Sequence, residues 1–188
     1  VALGIYALNG ITTGDKNTAV GYNALYSNTT VEINTAVGYN ELSNNTSGDY
    51  NTALGNFSLQ FNTTGRTNTA LGYYALVKNQ SGEDNTAVGA SALSNNTFGN
   101  NNTALGYTAG TLLTTGSNNT IIGHDADPSA NNASNQIVIG KGATGQGDDY
   151  AVIGNADVTR VYMAQDAGAT VYAEGLNLGG TAVSSTAA

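Results

Sequence analysis

The chain has 188 residues and a mass of 19.0 kDa, and five Lys and Arg against thirteen Asp and Glu leave a formal net charge of −8. So few cations exclude a surface that neutralises a run of phosphates, and one His with no Cys excludes disulfide stapling and the common structural zinc sites. Only 10% of residues are charged, and the 40% that are hydrophobic are mostly small, so one compact core would be thin.

In chain order, the first residue is Val1 rather than Met, which predicts a piece of a longer protein. No charged segment followed by an apolar one marks a signal peptide, and no apolar run approaches the roughly 20 residues of a membrane span. A repeat begins at once. The string Asn-Thr-Ala-Val/Leu-Gly places glycines at Gly4, Gly21, Gly38, Gly55, Gly72, Gly89 and Gly106, and an apolar-apolar-Gly string continues at Gly123 and Gly140. Each step is 17 residues, and the last, to Gly154, is 14. About ten copies therefore fill residues 1–157, followed by a segment over residues 158–188.

One copy reads Asn17-Thr18-Ala19-Val20-Gly21-Tyr22-Asn23-Ala24-Leu25, then turn residues. Helical repeats fail on propensity, because every copy carries several Gly, Asn and Thr. Two short strands per copy, joined by turns, predict an all-β parallel β-solenoid. Its coils stack at about 4.8 Å, giving a rod of about 45 Å. Gly14, Gly48, Gly65, Gly82, Gly99 and Gly116 mark one place in successive loops and are expected at positive φ.

Equivalent positions become columns. Val20, Val37, Leu54, Leu71, Val88, Leu105, Ile122, Ile139 and Ile153 form a branched aliphatic column, expected to be buried. Beside it runs Ala19, Ala36, Ala53, Ala70, Ala87 and Ala104, becoming Ile121, Val138 and Val152; strand alternation puts the two columns on opposite faces. Leu25, Leu42, Leu59, Leu76 and Leu93 make a third. A coil this narrow does not cover both faces alone. The expectation is that one face packs inside while the Ala face meets other copies of the chain, in an obligate homotrimer.

Asn17, Asn34, Asn51, Asn68, Asn85, Asn102 and Asn119 form an Asn column, read as structural amides that bond up the stack or cap turns. Asn-x-Thr sequons at Asn28 and Asn62 fall out of the same composition. A loop column of Asp15, Glu32, Asp49, Arg66, Glu83 and Asn100 reads as surface charge pairing, with cation binding as the alternative. Tyr22, Tyr39, Tyr73 and Tyr107 follow the repeat glycines, interrupted by Asn56 and Ala90, with His124 next. They are candidates for contact with a receptor, against the plainer reading of stacking between coils. No nucleophile is paired with a base, and the glycines recur as turn residues rather than as one phosphate loop. No enzyme activity, catalytic residue, metal or cofactor is expected.

The unit Asn-Thr-Ala-Val-Gly-Tyr-Asn-Ala-Leu resembles the head repeats of trimeric autotransporter adhesins, the YadA-like head. The closing Ala151-Val152-Ile153-Gly154, 14 residues beyond Gly140, is similar to that family's shorter unit. The 17-residue form with Asn-Thr-Thr-Gly loops resembles repeats of bacteriophage tail fibres. Ser134–Gly140 and Ile153–Asn155 look like the end of such repeats, and Thr159–Met163 with Ala169–Asn177 look like a following β-rich shaft. The resemblance implies a left-handed, trimeric parallel β-roll with an adhesive outer surface. The expected function is a structural and adhesive segment of a virion tail fibre, attaching to a bacterial host. Its partners would be copies of itself, other fibre segments and a host cell-surface glycan or protein, with no nucleic acid and no membrane insertion. The head of a bacterial cell-surface adhesin, or a purely structural spacer, are the alternatives.

Overall fold

The computed structural model describes residues 1–159, residue 161 and the backbone of two short strands, Leu176–Leu178 and Thr181–Val183. The chain divides into two compact units, Val1–Val158 and Thr159–Ala188. The first is an all-β parallel β-solenoid of about nine turns. Its strands are β1 (Ala2–Leu3), β2 (Thr18–Val20), β3 (Thr35–Val37), β4 (Thr52–Leu54), β5 (Thr69–Leu71), β6 (Thr86–Val88), β7 (Thr103–Leu105), β8 (Thr120–Ile122), β9 (Ile137–Ile139) and β10 (Ala151–Ile153). They pair in chain order, all parallel, in a register that sets Thr18 on Thr35, Ala19 on Ala36 and Val20 on Val37. In the second unit, β11 (Leu176–Leu178) and β12 (Thr181–Val183) pair antiparallel. The remainder of the expected shaft over residues 158–188 lies outside the described residues, apart from Val158, Thr159 and Val161.

Each coil has one short strand, of two residues in β1 and three in β2 to β10, rather than two strands. The second leg, after the repeat glycine, alternates in backbone hand: Asn23 has φ +56° and Leu25 +53°, and the same pattern recurs at Phe57 and Leu59. Asn23 N donates back to Ile5 O at 3.0 Å, whereas Leu25 N donates forward to Glu41 O at 3.0 Å. The leg thus bonds to both adjoining coils without β geometry. A Leu in the left-handed region costs about 1–2 kcal/mol. Leu25, Leu42, Leu59, Leu76 and Leu93 are fully buried, worth about 1.5–3 kcal/mol each, and that offsets the strain.

The assignment of faces is the reverse of the expectation. Ala19, Ala36, Ala53, Ala70, Ala87 and Ala104 point into the coil and are 0% exposed. The branched aliphatic column faces out, with Leu54 49%, Leu105 48% and Ile153 55% exposed. The cause is width. Between the strand and the leg opposite there is room for a Leu from one side and only a methyl group from the other.

The exception obeys the same rule. At position 110 a Gly replaces the Leu of the column, and there the Ala column becomes Ile121. A Cβ built on Gly110 would stand 2.9 Å from Leu93 Cδ2 and 3.2 Å from Ile121 Cδ1, so Ile121 fills the vacated space.

Glycine is required where backbones touch. At Gly72 φ is +141°, and a Cβ would lie 2.6 Å from the carbonyl of Gly89 in the next coil. The loop glycines differ from expectation: none of Gly14, Gly48, Gly65, Gly82, Gly99 or Gly116 has positive φ. They serve close approach instead, since a Cβ on Gly65 would sit 2.5 Å from Gly82 O.

Volume compensation makes a direct prediction. Ile121→Ala should cost about 2–5 kcal/mol of stability by leaving a cavity. Adding Gly110→Leu should recover part of that loss, while Gly110→Leu alone should destabilise by overpacking. Urea unfolding of the four proteins in a double-mutant cycle measures the coupling; strictly additive effects would count against the exchange of volume.

Candidate functional site

The interior holds two amide ladders. Asn34, Asn51, Asn68, Asn85 and Asn102 are 0% exposed, with Asn17 and Asn119 at 4% and 1%. Each Nδ2 reaches the loop carbonyl 14 residues ahead, as Asn68 does to Gly82 O at 2.8 Å. Each Oδ1 accepts from the next coil, as Asn68 Oδ1 does from Asn85 N at 3.0 Å and Asn85 Nδ2 at 3.2 Å. Gln136 ends the ladder, its N–H on Asn119 Oδ1 at 3.0 Å and its amide turned to Ser129 and Asp148. One side chain therefore ties the strand corner to the loop corner in every coil.

The second ladder, Asn28, Asn45, Asn62, Asn79 and Asn96, went unrecognised as a column in the sequence. Asn79 Nδ2 donates to Asn62 Oδ1 at 2.8 Å and to Gly82 O at 3.0 Å. It stops where Leu113 takes the next place, and Asn96 Oδ1 is left without a donor. Its only outward signal was the Asn-Thr pair. Asn28 and Asn62 are 0% exposed, so neither sequon amide is open to a glycan once the coil has formed.

The tyrosine candidates lie outside. Tyr22 is 40% exposed, Tyr39 42%, Tyr73 52% and Tyr107 55%. Tyr22 stacks on Tyr39 at 5.3 Å with planes 10° apart. Asn56 does not break the series, because Phe57 enters from the adjoining column, 5.3 Å from Tyr39 and 5.0 Å from Tyr74. Tyr6 extends it to the first coil, edge-on to Tyr22 at 5.9 Å. The rings form one ribbon from Tyr6 to Tyr74, face to face at Tyr22–Tyr39 and Phe57–Tyr74 and edge-on elsewhere. Tyr107 stands apart, with His124 tilted over it at 5.2 Å and His124 Nδ1 2.9 Å from Asp125 Oδ2.

In the loop column, Arg66 Nε meets Glu83 Oε1 at 3.1 Å. Asp49 and Asn100 instead accept the backbone N–H groups of Glu32 and Glu83, at 2.8 and 2.7 Å. Asp148 is held below the usual carboxylate range by the N–H of Ser134 and the amide of Gln136. Burial pushes Asp127 up, although Leu112 N–H and Thr111 Oγ1 bond it. Among the described residues no group of three or more acidic, His or Cys side chains is placed to hold a metal ion.

Glu41 is the outlier of the interior. It stands in a column otherwise built of Ala24, Ala75, Ala92 and Ala109, with Ser58 next to it, and is 0% exposed. Neither of its carboxyl oxygens has a hydrogen-bond partner. Burial raises its pKa from 4.5 to about 7; the N–H groups of Glu41 and Tyr39 oppose this without reaching bonding geometry.

No protein-family model, no curated protein and no solved structure matches the chain.

Two predictions follow from these interior groups. Asn68→Ala strands the N–H of Asn85, worth about 1–3 kcal/mol when buried unpaired, and takes one of two amide donors from Gly82 O, which keeps Asn79 Nδ2. It should destabilise by about 1–3 kcal/mol and speed hydrogen exchange at Asn85 above all; a uniform change along the roll would contradict the ladder. For Glu41, the folded chain holds the proton more tightly than the unfolded one. Stability from this group is therefore full below about pH 4.5, falls as pH rises to about 7, and is flat above. The loss is about 3 kcal/mol at most. Glu41→Ala should remove that slope and be more stable than wild type at pH 8, as read from urea midpoints across pH; an unchanged slope would refute the assignment.

Proposed function

We propose that this chain is a structural and adhesive segment of a trimeric virion tail fibre that helps attach the particle to a bacterial surface. The observation that supports it most is the outer face of the ten-stranded sheet. Thr and branched aliphatic side chains alternate there without a charge from β2 to β8, and Leu54, Leu105 and Ile153 are half exposed. An uncharged row this long is a site for association. Another copy fits it best, because its coils repeat with the same axial spacing and align residue by residue. The number three, the left-handed sense and the fibre setting come from the resemblance of the repeat. Multivalent display on a rigid rod would raise weak surface contacts to useful avidity. With a net charge of −8, attraction to an anionic envelope has to come from local groups rather than from the whole molecule.

A spacer role has its own support: the aromatic rings pack on one another along the roll, face to face at Tyr22–Tyr39 and Phe57–Tyr74. The head of a bacterial surface adhesin would use the same assembly on a cell instead of a particle.

Light scattering at low concentration should give about three times 19.0 kDa. Leu54→Asp with Leu71→Asp should release folded monomers, because both side chains lie outside the filled interior. A wild-type monomer would overturn the assembly. Removing two whole coils, residues 52–85, keeps the register; unchanged adsorption to bacteria would favour the spacer.

A further inference from the structure

Two adjoining hollows open on the turn side of the roll, and no sheet residue lines either one. The larger, of about 540 Å³, is bounded by Asn44, Phe61 and Lys78 on one wall and by Thr63, Gln80 and Thr97 on the other. The smaller, of about 310 Å³, shares Phe61 and Lys78 and continues to Tyr74 and Asn95. Both volumes lie at the size of small-ligand sites. The larger spans four successive coils, about 14 Å along the axis.

Phe61 and Lys78 depart from the pattern of their column. Equivalent positions carry Gly10, Ser27, Asn44 and Asn95, with Leu112 one coil beyond, so Phe61 and Lys78 are the aromatic and the cationic residue of this column. Phe61, 48% exposed, lies between the two hollows. Lys78 Nζ donates to the neutral Asn95 Oδ1 at 2.8 Å, whereas Lys16 and Arg66 lie against Asp15 and Glu83. Its positive charge therefore has no carboxylate against it among the described residues.

We infer that this groove binds an acidic oligosaccharide, with a pyranose ring on Phe61 and a carboxylate on Lys78. An apolar ring face suits the CH face of a sugar, amides and hydroxyls on both walls suit its hydroxyl groups, and the single cation selects a uronic-type acid. An acidic peptide fits less well. The backbone of this corner is already spent between coils, with Thr63 N on Gln80 O and Thr97 N on Thr114 O, so no ladder is open to an added strand. This inference rests on the attachment reading and names the ligand class of that function.

The test uses trigalacturonate as probe, with maltotriose and pentaglutamate as comparisons, in calorimetric titration of the purified chain. The substitutions Phe61→Ser and Lys78→Asn put in residues that the column already uses, so the fold should survive, as circular dichroism and light scattering check. Trigalacturonate should bind and weaken with salt, and each substitution should weaken it about tenfold. Absence of saturable binding, or binding that neither substitution alters, would overturn the groove. Equal affinity for maltotriose would overturn the role of Lys78, and tighter binding of pentaglutamate would replace the sugar by a peptide. Adsorption to bacteria is measured on the same proteins. Adsorption without trigalacturonate binding discards the groove and keeps the attachment reading; trigalacturonate binding through both residues without adsorption discards attachment alone.

Discussion

Everything in this roll depends on coils that approach one another at backbone hydrogen-bond distance. At Gly72 and Gly89, and at Gly65 and Gly82, that approach leaves no room for a Cβ. Every side chain then has a copy of its own position about 4.8 Å above and below. A residue is suited to such a stack only if it tolerates its own kind. Asn does, because one amide carries both donor and acceptor, and the column from Asn17 to Asn119 uses both in each coil. Small apolar groups do, and so do aromatic rings. Like charges do not, which accounts for a composition with 10% charged residues. Where charges do enter in series, they stay on the exposed loop: Asp15, Glu32 and Asp49 follow one another there, and Arg66 then pairs with Glu83.

Much of this was legible in the sequence, because a period needs no geometry to be seen. The 17-residue step, the strand at Asn-Thr-Ala-Val/Leu-Gly and the parallel stacking all follow from counting. What counting does not give is direction. Alternation separates Ala19 from Val20 but is silent on which points inward; the width of the coil decides that, and width is set by the leg opposite. The leg itself was misread as a strand because the sign of φ at Leu25 leaves no trace in a Leu side chain, although Asn23 beside it is a residue that adopts this conformation readily. The exchange of Leu for Gly110 and of Ala for Ile121 was visible as two separate irregularities. Only contact shows them to be one.

In a repeat this regular, departures are the informative positions. Most have a structural account: Gln136 closes a ladder, Leu113 ends another, Phe57 carries the aromatic ribbon past Asn56. Glu41 has none of that kind. Ala24 and Ala75 serve the same column without a polar group, and its buried carboxyl, like the Ser58 hydroxyl beside it, finds no partner. Burial raises its pKa to about 7, and it makes no hydrogen bond in return. Phe61 and Lys78 are departures of the opposite sort, outside the coil and unneeded by it.

The same reasoning bears on the aliphatic face. Once the Ala and Leu columns fill the interior, a single coil makes no further demand on positions 20, 37, 54 and 71. Thr or Gln there would extend the sheet equally well and would be better solvated, as the adjoining Thr18, Thr35, Thr52 and Thr69 are. Val, Leu and Ile hold the position in every coil from Val20 to Ile153. Folding of one chain does not explain a choice that costs solubility at each step. Burial against a surface of the same period would, since it would turn each exposed branch into about 1.5–3 kcal/mol of association. The proposed self-association therefore rests on the outward aliphatic row, and the inward Ala column, which first pointed to it, is already accounted for by the single chain.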